Sequence, residues 1–337
     1  MSEPIFTVAM PAYNSERTIA SAIGSVLAQT QPDFELIVVD DGSSDATVDV
    51  ARGFQDSRVR VRRQENAGPG AARNLAIVEG RGRYISMLDS DDLWLPAYLE
   101  TMGAALDADP KAGLAYTDAW VLDDATGRIR RTTAMHYQDP PVPPPTEPQE
   151  FLRQLLIRGN FVFTSGTVRR AALDEIGVFN MLLTPSEDFE LWLRIVATGW
   201  RAVRVGANLA VYRKHSGSLS SNEVAILRGE GEALRRVVQE YDVPEELRAL
   251  ALRRLRRVDV RAAGLSGDRG IREAMQRLRA RAVRVKIALV EPFAWHDRPP
   301  PEVEAVLANA NRQDAGADAR SAVGGDGPQA QNARSEA

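Results

Sequence analysis

Three carboxylates stand within four residues at Asp89-Ser90-Asp91-Asp92. Without compensation they repel one another, so a fold does not place them together idly. A hard divalent cation supplies that compensation. Mg²⁺ and Mn²⁺ take oxygen ligands and keep waters and substrate phosphates in their shell, so a metal–diphosphate would complete such a site. A solvated acidic turn capping the next helix is the rival account of the same residues. A second acidic loop, Asp40-Asp41-Gly42-Ser43-Ser44, offers an Asp to accept a hydrogen bond from a nucleobase imide or a ribose hydroxyl. Ser44 and Asp45 suit a helix cap instead. A third cluster, Ser186-Glu187-Asp188-Phe189-Glu190, opens an amphipathic helix, where the dipole favours carboxylates. Asp188, on the first turn, can face a cleft as a general base. Arg73, behind the Gly68-Pro69-Gly70 loop, can reach a diphosphate as a charge-assisted donor or stand as a plain helix-surface residue. His215 follows a strand and precedes a Gly/Ser loop. Neutral, it can ligate a metal; charged, it can contact phosphate; a lone histidine more often does neither.

These loops need a frame. Apolar runs at residues 5–10, 34–39, 59–61 and 84–88 alternate with helical stripes such as Ile19, Ile23, Val26 and Leu27, with Ser15 as a helix cap. That alternation predicts an α/β fold with a mostly parallel central sheet and helices on both faces. Ligands then bind beyond the carboxyl ends of the strands, which is where the acidic loops lie. A further strand is expected at 114–122, a hairpin turn at 123–127, helices at 151–157, 170–176 and 187–197, and a strand at 209–213. The proline-rich stretch 139–148 reads as a loop or flap. From 222 to about 289 the pattern is helical and rich in Arg, Leu and Ala; beyond 299 few large apolar residues remain, so a disordered tail is expected.

The chain has 337 residues and a net charge of −4, too small to predict a polyanionic partner, so no nucleic acid is expected. The absence of cysteine excludes disulfides and thiolate metal sites. Met1 is followed by Ser2, Glu3 and Pro4 and then a strand-like run, without a basic and apolar leader. No apolar run approaches the ~20 residues of a membrane span, and a cytoplasmic protein is expected. The arginines between Arg248 and Lys286 suit a peripheral contact with a membrane surface or a lipid-linked acceptor. They better suit a solvated face of helices packed on the catalytic domain or on a second copy in a homodimer.

Taken together, the segments resemble the family-2 inverting glycosyltransferases, which have the GT-A nucleotide-sugar-binding fold. The matching residues are Val8-Ala9-Met10-Pro11-Ala12-Tyr13-Asn14, Asp40-Asp41-Gly42-Ser43, the stretch 66–74, Asp89-Ser90-Asp91-Asp92, the stretch 187–194 and Tyr212-Arg213-Lys214-His215. The resemblance implies that Pro11, Tyr13 and Glu16 rim a nucleotide pocket, that Asp41 or Asp40 binds the base, and that Arg73 serves the diphosphate. It makes Asp89 and Asp91 a DxD motif. Asp91 is then the direct metal ligand, and Asp89, with Ser90 beside it, serves the ribose and metal-bound water. Asp188 matches the family's catalytic base, and His215 falls near the metal or diphosphate. The implied cofactor is Mn²⁺ or Mg²⁺. The implied partners are a nucleoside-diphosphate sugar and a glycan, lipid-linked or small-molecule acceptor. No Gln-x-x-Arg-Trp pattern of processive synthases is present, which favours a soluble, non-processive enzyme adding one sugar with inversion.

The expected organisation is a catalytic domain over 1–221, a helical extension over 222–298 and the tail over 299–337. Within the catalytic domain, 1–122 would bind the nucleotide and 123–221 the acceptor. A catalytically silent nucleotide-sugar or carbohydrate binder of the same fold is the alternative. Asp188 argues against it, because a binder needs no base. A sugar-nucleotide pyrophosphorylase should carry a Gly-rich, basic phosphate loop near its start, and Pro11-Ala12-Tyr13-Asn14 is not one.

Overall fold

The computed structural model describes residues 3–132, 145–162, 165–183, 185–215, 222–266 and 299–323. Its centre is a nine-stranded mixed sheet in the order β3-β2-β1-β4-β8-β6-β9-β5, with β7 paired to β6. Strands β1 (Phe6–Ala12), β2 (Phe34–Asp40), β3 (Val59–Arg63) and β4 (Tyr84–Met87) run parallel. Every residue of β1 and β2 is buried, as parallel strands covered on both faces must be. The short β8 (Thr167–Arg169) lies antiparallel between β4 and β6 (Ala112–Asp123), which returns β6 to the direction of β4. The edge is completed by β9 (Arg201–Lys214), parallel to β6, and by β5 (Leu93–Trp94), antiparallel to β9. The hairpin partner β7 (Ile129–Thr132) follows the turn expected at 123–127.

Alternate side chains of β1 feed two cores, as a period of two requires. Val8 and Met10 pack with Ile19 and Ile23 of α1 (Ile19–Leu27) and with Met102 of α4 (Tyr98–Ala108). Ala9 faces the other side, where Ala72 and Ala76 of α3 (Pro69–Glu79) cover it; α2 (Thr47–Arg52) follows β2. That second core runs on through α5 (Pro148–Arg158), α7 (Glu187–Ala197), α8 (Glu223–Glu240) and α9 (Glu245–Leu265), with α6 (Arg170–Ile176) at its margin. Leu227, Leu234, Leu247 and Ala251 therefore share one cluster with Leu155 and Trp192. Residues 222–266 form a further layer on the sheet and its helices. No described helix is long and apolar enough to cross a membrane.

Several elements differ from the sequence expectations. Helix α1 begins at Ile19; the Ser15 carbonyl accepts the amides of Thr18 and Ile19, so Ser15 closes a turn before the helix without capping it by its side chain. Strand β9 starts at Arg201, because its ladder to β6 carries it through polar residues that show no alternation. The expected disorder beyond 299 is corrected over α10 (Pro301–Val323), which is helical. Its few apolar residues, Val303, Val306, Leu307 and Ala310, fall on one stripe and pack against Leu93, Leu95 and Val211. Residues 133–144, 267–298 and 324–337 lie outside the described residues, and with them 139–144 of the proline-rich flap and the end of the Arg-rich helical stretch. Within α9, Arg254 bonds Glu230 and the Ile157 carbonyl and Arg261 pairs with Glu223, whereas Arg253, Arg256 and Arg257 are exposed.

Candidate active site

Three loops and His215 lie at the carboxyl ends of β1, β2, β4 and β9. After β1, Pro11 is buried in the strand and Tyr13 stands 53% exposed at the rim. Asn14 has a positive φ of 48° that its short polar side chain tolerates. Its Oδ1 accepts the Ser44 amide at 2.9 Å and its own amide donates to Ser43 Oγ at 2.9 Å. Glu16 accepts the Ala46 amide at 3.0 Å and so ties the same loop to the start of α2.

The two carboxylates after β2 have different tasks. Asp40 accepts the Ser43 amide and pairs with Arg63 at 3.2 Å. Asp41 accepts Gln64 Nε2 at 2.7 Å, the Ala67 amide at 2.9 Å and the Gly68 amide at 2.8 Å. Asp41 thereby pins the loop before α3 at the positive end of that helix. Gly68 has φ 89°, a conformation that costs a residue with Cβ.

The loop after β4 is held from three sides. Arg73 donates to Asp89 at 2.5 Å, and Ser90 Oγ lies 2.7 Å from Ser15 Oγ. Asp91 Oδ2 meets His215 Nε2 at 2.9 Å, and Asp92 accepts the Arg213 amide at 2.9 Å. The Arg213 side chain in turn donates Nε to the Asp91 carbonyl at 3.1 Å. The Asp91 carboxylate holds the His215 imidazole above its ordinary range by hydrogen bond, an effect only partly opposed by burial. Burial, then the charges of Asp91 and Asp89, push Asp92 well above the usual carboxylate range.

Arg73 is the joint of the site. Its side chain is 3% exposed, and its second amino group donates to Glu187 at 2.6 Å. One guanidinium thus joins the Asp89–Asp92 loop to the first turn of α7. In the next position Asp188, 7% exposed, accepts Asn160 Nδ2 at 3.0 Å and the Phe189 amide at 2.7 Å. Glu190 faces away into an ion pair with Arg194 at 2.8 Å. Ser186, just before α7, has φ 95°, strained for a residue with Cβ, and donates its hydroxyl to the Ile226 carbonyl of α8. At Gly229 of α8 the backbone comes so near that a Cβ would lie 2.0 Å from the Pro185 carbonyl oxygen.

Arg73 therefore joins Asp89 to Glu187, the neighbour of Asp188, while Asp91 is paired with His215 in the same acidic loop. Arg73 reaches two carboxylates in place of the solvent its sequence position allowed. Three contributors have a role that the sequence did not assign: Asn160 beside Asp188, Arg213 behind Asp91, and Glu187 as the partner of Arg73. Among the described residues no group of three or more His, Asp or Glu is disposed to hold a metal. Asp91 and His215 offer two donors side by side. That fits an ion that takes one or two protein ligands and completes its shell with substrate phosphates and water.

Comparison with known proteins shows the family and the fold. The family model described as Glycosyl transferase family 2 matches residues 7–177. The Escherichia coli UDP-Glc:alpha-D-GlcNAc-diphosphoundecaprenol beta-1,3-glucosyltransferase WfgD is 30% identical over 236 residues, covering 69% of this chain and 87% of that one. The crystal structure of S. aureus TarS 1–349 in complex with UDP-GlcNAc superposes with a TM-score of 0.61 at 20% identity, over 93% of this chain and 88% of that one. The mannosyltransferase PcManGT from Pyrobaculum calidifontis, in complex with GDP-Man and Mn²⁺, gives 0.54 at 17% identity over 97% and 89%. The shared fold is the GT-A type.

Proposed function

The chain belongs to glycosyl transferase family 2, and from that membership we propose that it moves one sugar from a nucleoside-diphosphate sugar to an acceptor hydroxyl with inversion. The observation that carries this reading is the Arg73 bridge, which ties Asp89 to Glu187, the neighbour of Asp188; in this reading the two segments are facing walls of one cleft. In this reading the donor half is 1–122 and the acceptor half 123–221. The nucleotide lies along the Tyr13, Asp40 and Asp41 loops, with its diphosphate towards Asp91 and His215.

Asp91, with Asp89 and His215 near it, would hold Mn²⁺ or Mg²⁺. Such an ion, when bound, neutralises charge on the leaving diphosphate. On the other wall Asp188 takes the proton of the acceptor hydroxyl as the new C1–O bond forms and the bond to the diphosphate breaks. The Asn160 amide fixes the orientation of that carboxylate. A single base suffices for inversion, unlike the carboxylate pair of glycoside hydrolysis. A lipid-linked acceptor, of the kind named for the Escherichia coli relative, would bring the cleft to a membrane surface without a spanning helix.

The test is donor turnover and binding across UDP-, GDP- and dTDP-sugars with Mn²⁺, Mg²⁺ or EDTA, on wild type, Asp91→Ala and Asp188→Asn. Metal-dependent turnover of one donor, lost in both variants while Asp188→Asn still binds, is expected. Binding of a donor without turnover, even with acceptor mixtures, would make the protein a silent nucleotide-sugar binder.

A further inference from the structure

Helix α10 docks on α1 and on the β5–β9 edge of the sheet, although it lies far in sequence from every residue assigned to the reaction. Its apolar stripe, including the buried Val303 and Ala310, packs with Leu93, the residue after Asp92. One turn beyond Ala310, Asp314 Oδ1 accepts the Ser21 amide at 3.0 Å. Ser21 lies in the first turn of α1, whose amides have no partner within their own helix. Asp314 thus caps α1 from across the molecule. Gln313 beside it fills a notch at Gly24, where a Cβ would lie 2.0 Å from its Oε1.

The same carboxylate faces Arg213. Asp314 Oδ2 is 3.8 Å from Arg213 Nη1, which also approaches Asp124 at 3.6 Å, and Arg213 Nη2 donates to Ser21 Oγ at 3.3 Å. Arg213 is 8% exposed on its side chain and is the residue that grips both the Asp91 carbonyl and the Asp92 carboxylate. Ser15, just ahead of α1, contacts Ser90. Two routes therefore run from Asp314 to the acidic loop, one through α1 and its preceding turn and one through Arg213.

We propose that α10 is an intramolecular latch that sets the Asp89–Asp92 loop, with Asp314 as its positioning residue. The latch rests on the proposed function only for what it positions, namely the loop that takes the metal and donor diphosphate. A helix present for bulk stability alone would need its apolar stripe but no carboxylate directed at α1 and Arg213.

The experiment compares full-length wild type with Asp314→Ala, Asp314→Asn and Ala310→Glu, the last prying the helix from Leu93 and Val211. Hydrogen exchange is followed in peptides covering residues 13–24 and 88–95, with residues 34–40 as the internal reference. Calorimetry measures the affinity for whichever of UDP, GDP or dTDP the wild type binds in Mn²⁺. In Asp314→Ala both segments should exchange roughly tenfold faster while 34–40 keeps its protection, and nucleotide affinity should fall about tenfold. Asp314→Asn retains an acceptor for the Ser21 amide and should fall between, and Ala310→Glu should reproduce the Asp314→Ala pattern. Unchanged exchange at 88–95 in both Asp314→Ala and Ala310→Glu overturns the latch. So does slower or faster exchange that is uniform across all three segments. If the wild type binds none of the nucleotides, the proposed function fails, and the exchange data alone decide whether α10 holds the loop.

Discussion

Replacing Arg73 by Met keeps the length of the side chain and removes its charge. In the native protein the guanidinium, 3% exposed, lies 2.5 Å from Asp89 and 2.6 Å from Glu187. Breaking a buried ion pair by deleting one partner costs about 3–5 kcal/mol, because the remaining charge is left without compensation. Here the two survivors differ. The Glu187 side chain is 7% exposed and cannot rehydrate in place, whereas Asp89 is 32% exposed and can. The lower end of the range applies, about 3 kcal/mol, or about 4 °C in Tm at roughly 2 cal/mol/K of unfolding entropy per residue. The two carboxylates then face each other in a site that already raises Asp89 by burial. The folded pKa of Asp89 lies above its unfolded one, so its protonation stabilises the variant at low pH and that help is lost as pH rises. The deficit must be larger at pH 8 than at pH 5. Adding Glu187→Gln to Arg73→Met removes one uncompensated charge and should recover part of the loss, with a coupling of about 1–3 kcal/mol. The assay is urea unfolding of the wild type, both single variants and the double variant at the two pH values. A double variant no more stable than Arg73→Met, or a deficit that grows towards pH 5, refutes the bridge.

Other outcomes follow from separate contacts. Gly229→Ala should destabilise, against the gain of about 1 kcal/mol that helical Gly→Ala usually brings, because the new Cβ meets the Pro185 carbonyl. By displacing Ser186 it should lower kcat and leave nucleotide affinity, read by calorimetry, unchanged. Asn160→Ala frees the Asp188 carboxylate, so steady-state kinetics should show kcat down roughly tenfold with the donor KM held. Glu35 is buried, which alone would raise its carboxyl. The Arg81 amide, the Thr7 hydroxyl and the Arg60 and Arg81 charges outweigh burial and lower it below 4.5. Its stabilisation is full above that value and is lost as pH falls through the depressed one. Glu35→Gln should therefore cost about 1–2 kcal/mol at pH 7 in a denaturant titration, and the gap should close towards pH 3.

What could be read from the sequence and what could not divide along sequence distance. The strands that lead to Asp40 and Asp89 are mostly apolar runs, broken only by Glu35 and Ser86, as buried parallel strands are. The acids that follow them stand out because like charges in succession need a reason. Both signals are local. The pairing of Arg73 with Glu187 spans 114 residues and depends on how α3 and α7 meet over the shared core, which no periodicity encodes. Asn160 is a single amide in an irregular segment, where its type alone suggests a turn. The error over α10 is the most instructive. Its composition is that of a solvated segment, and composition judges whether a segment can bury enough to order itself alone. Val303, Val306, Leu307 and Ala310 do not have to do so, since Leu93, Leu95 and Val211 already form the other half of the interface. A sparse stripe is sufficient when the sheet edge supplies the remainder, and a single carboxylate on that stripe then reaches Arg213 and, across 293 residues of chain, α1.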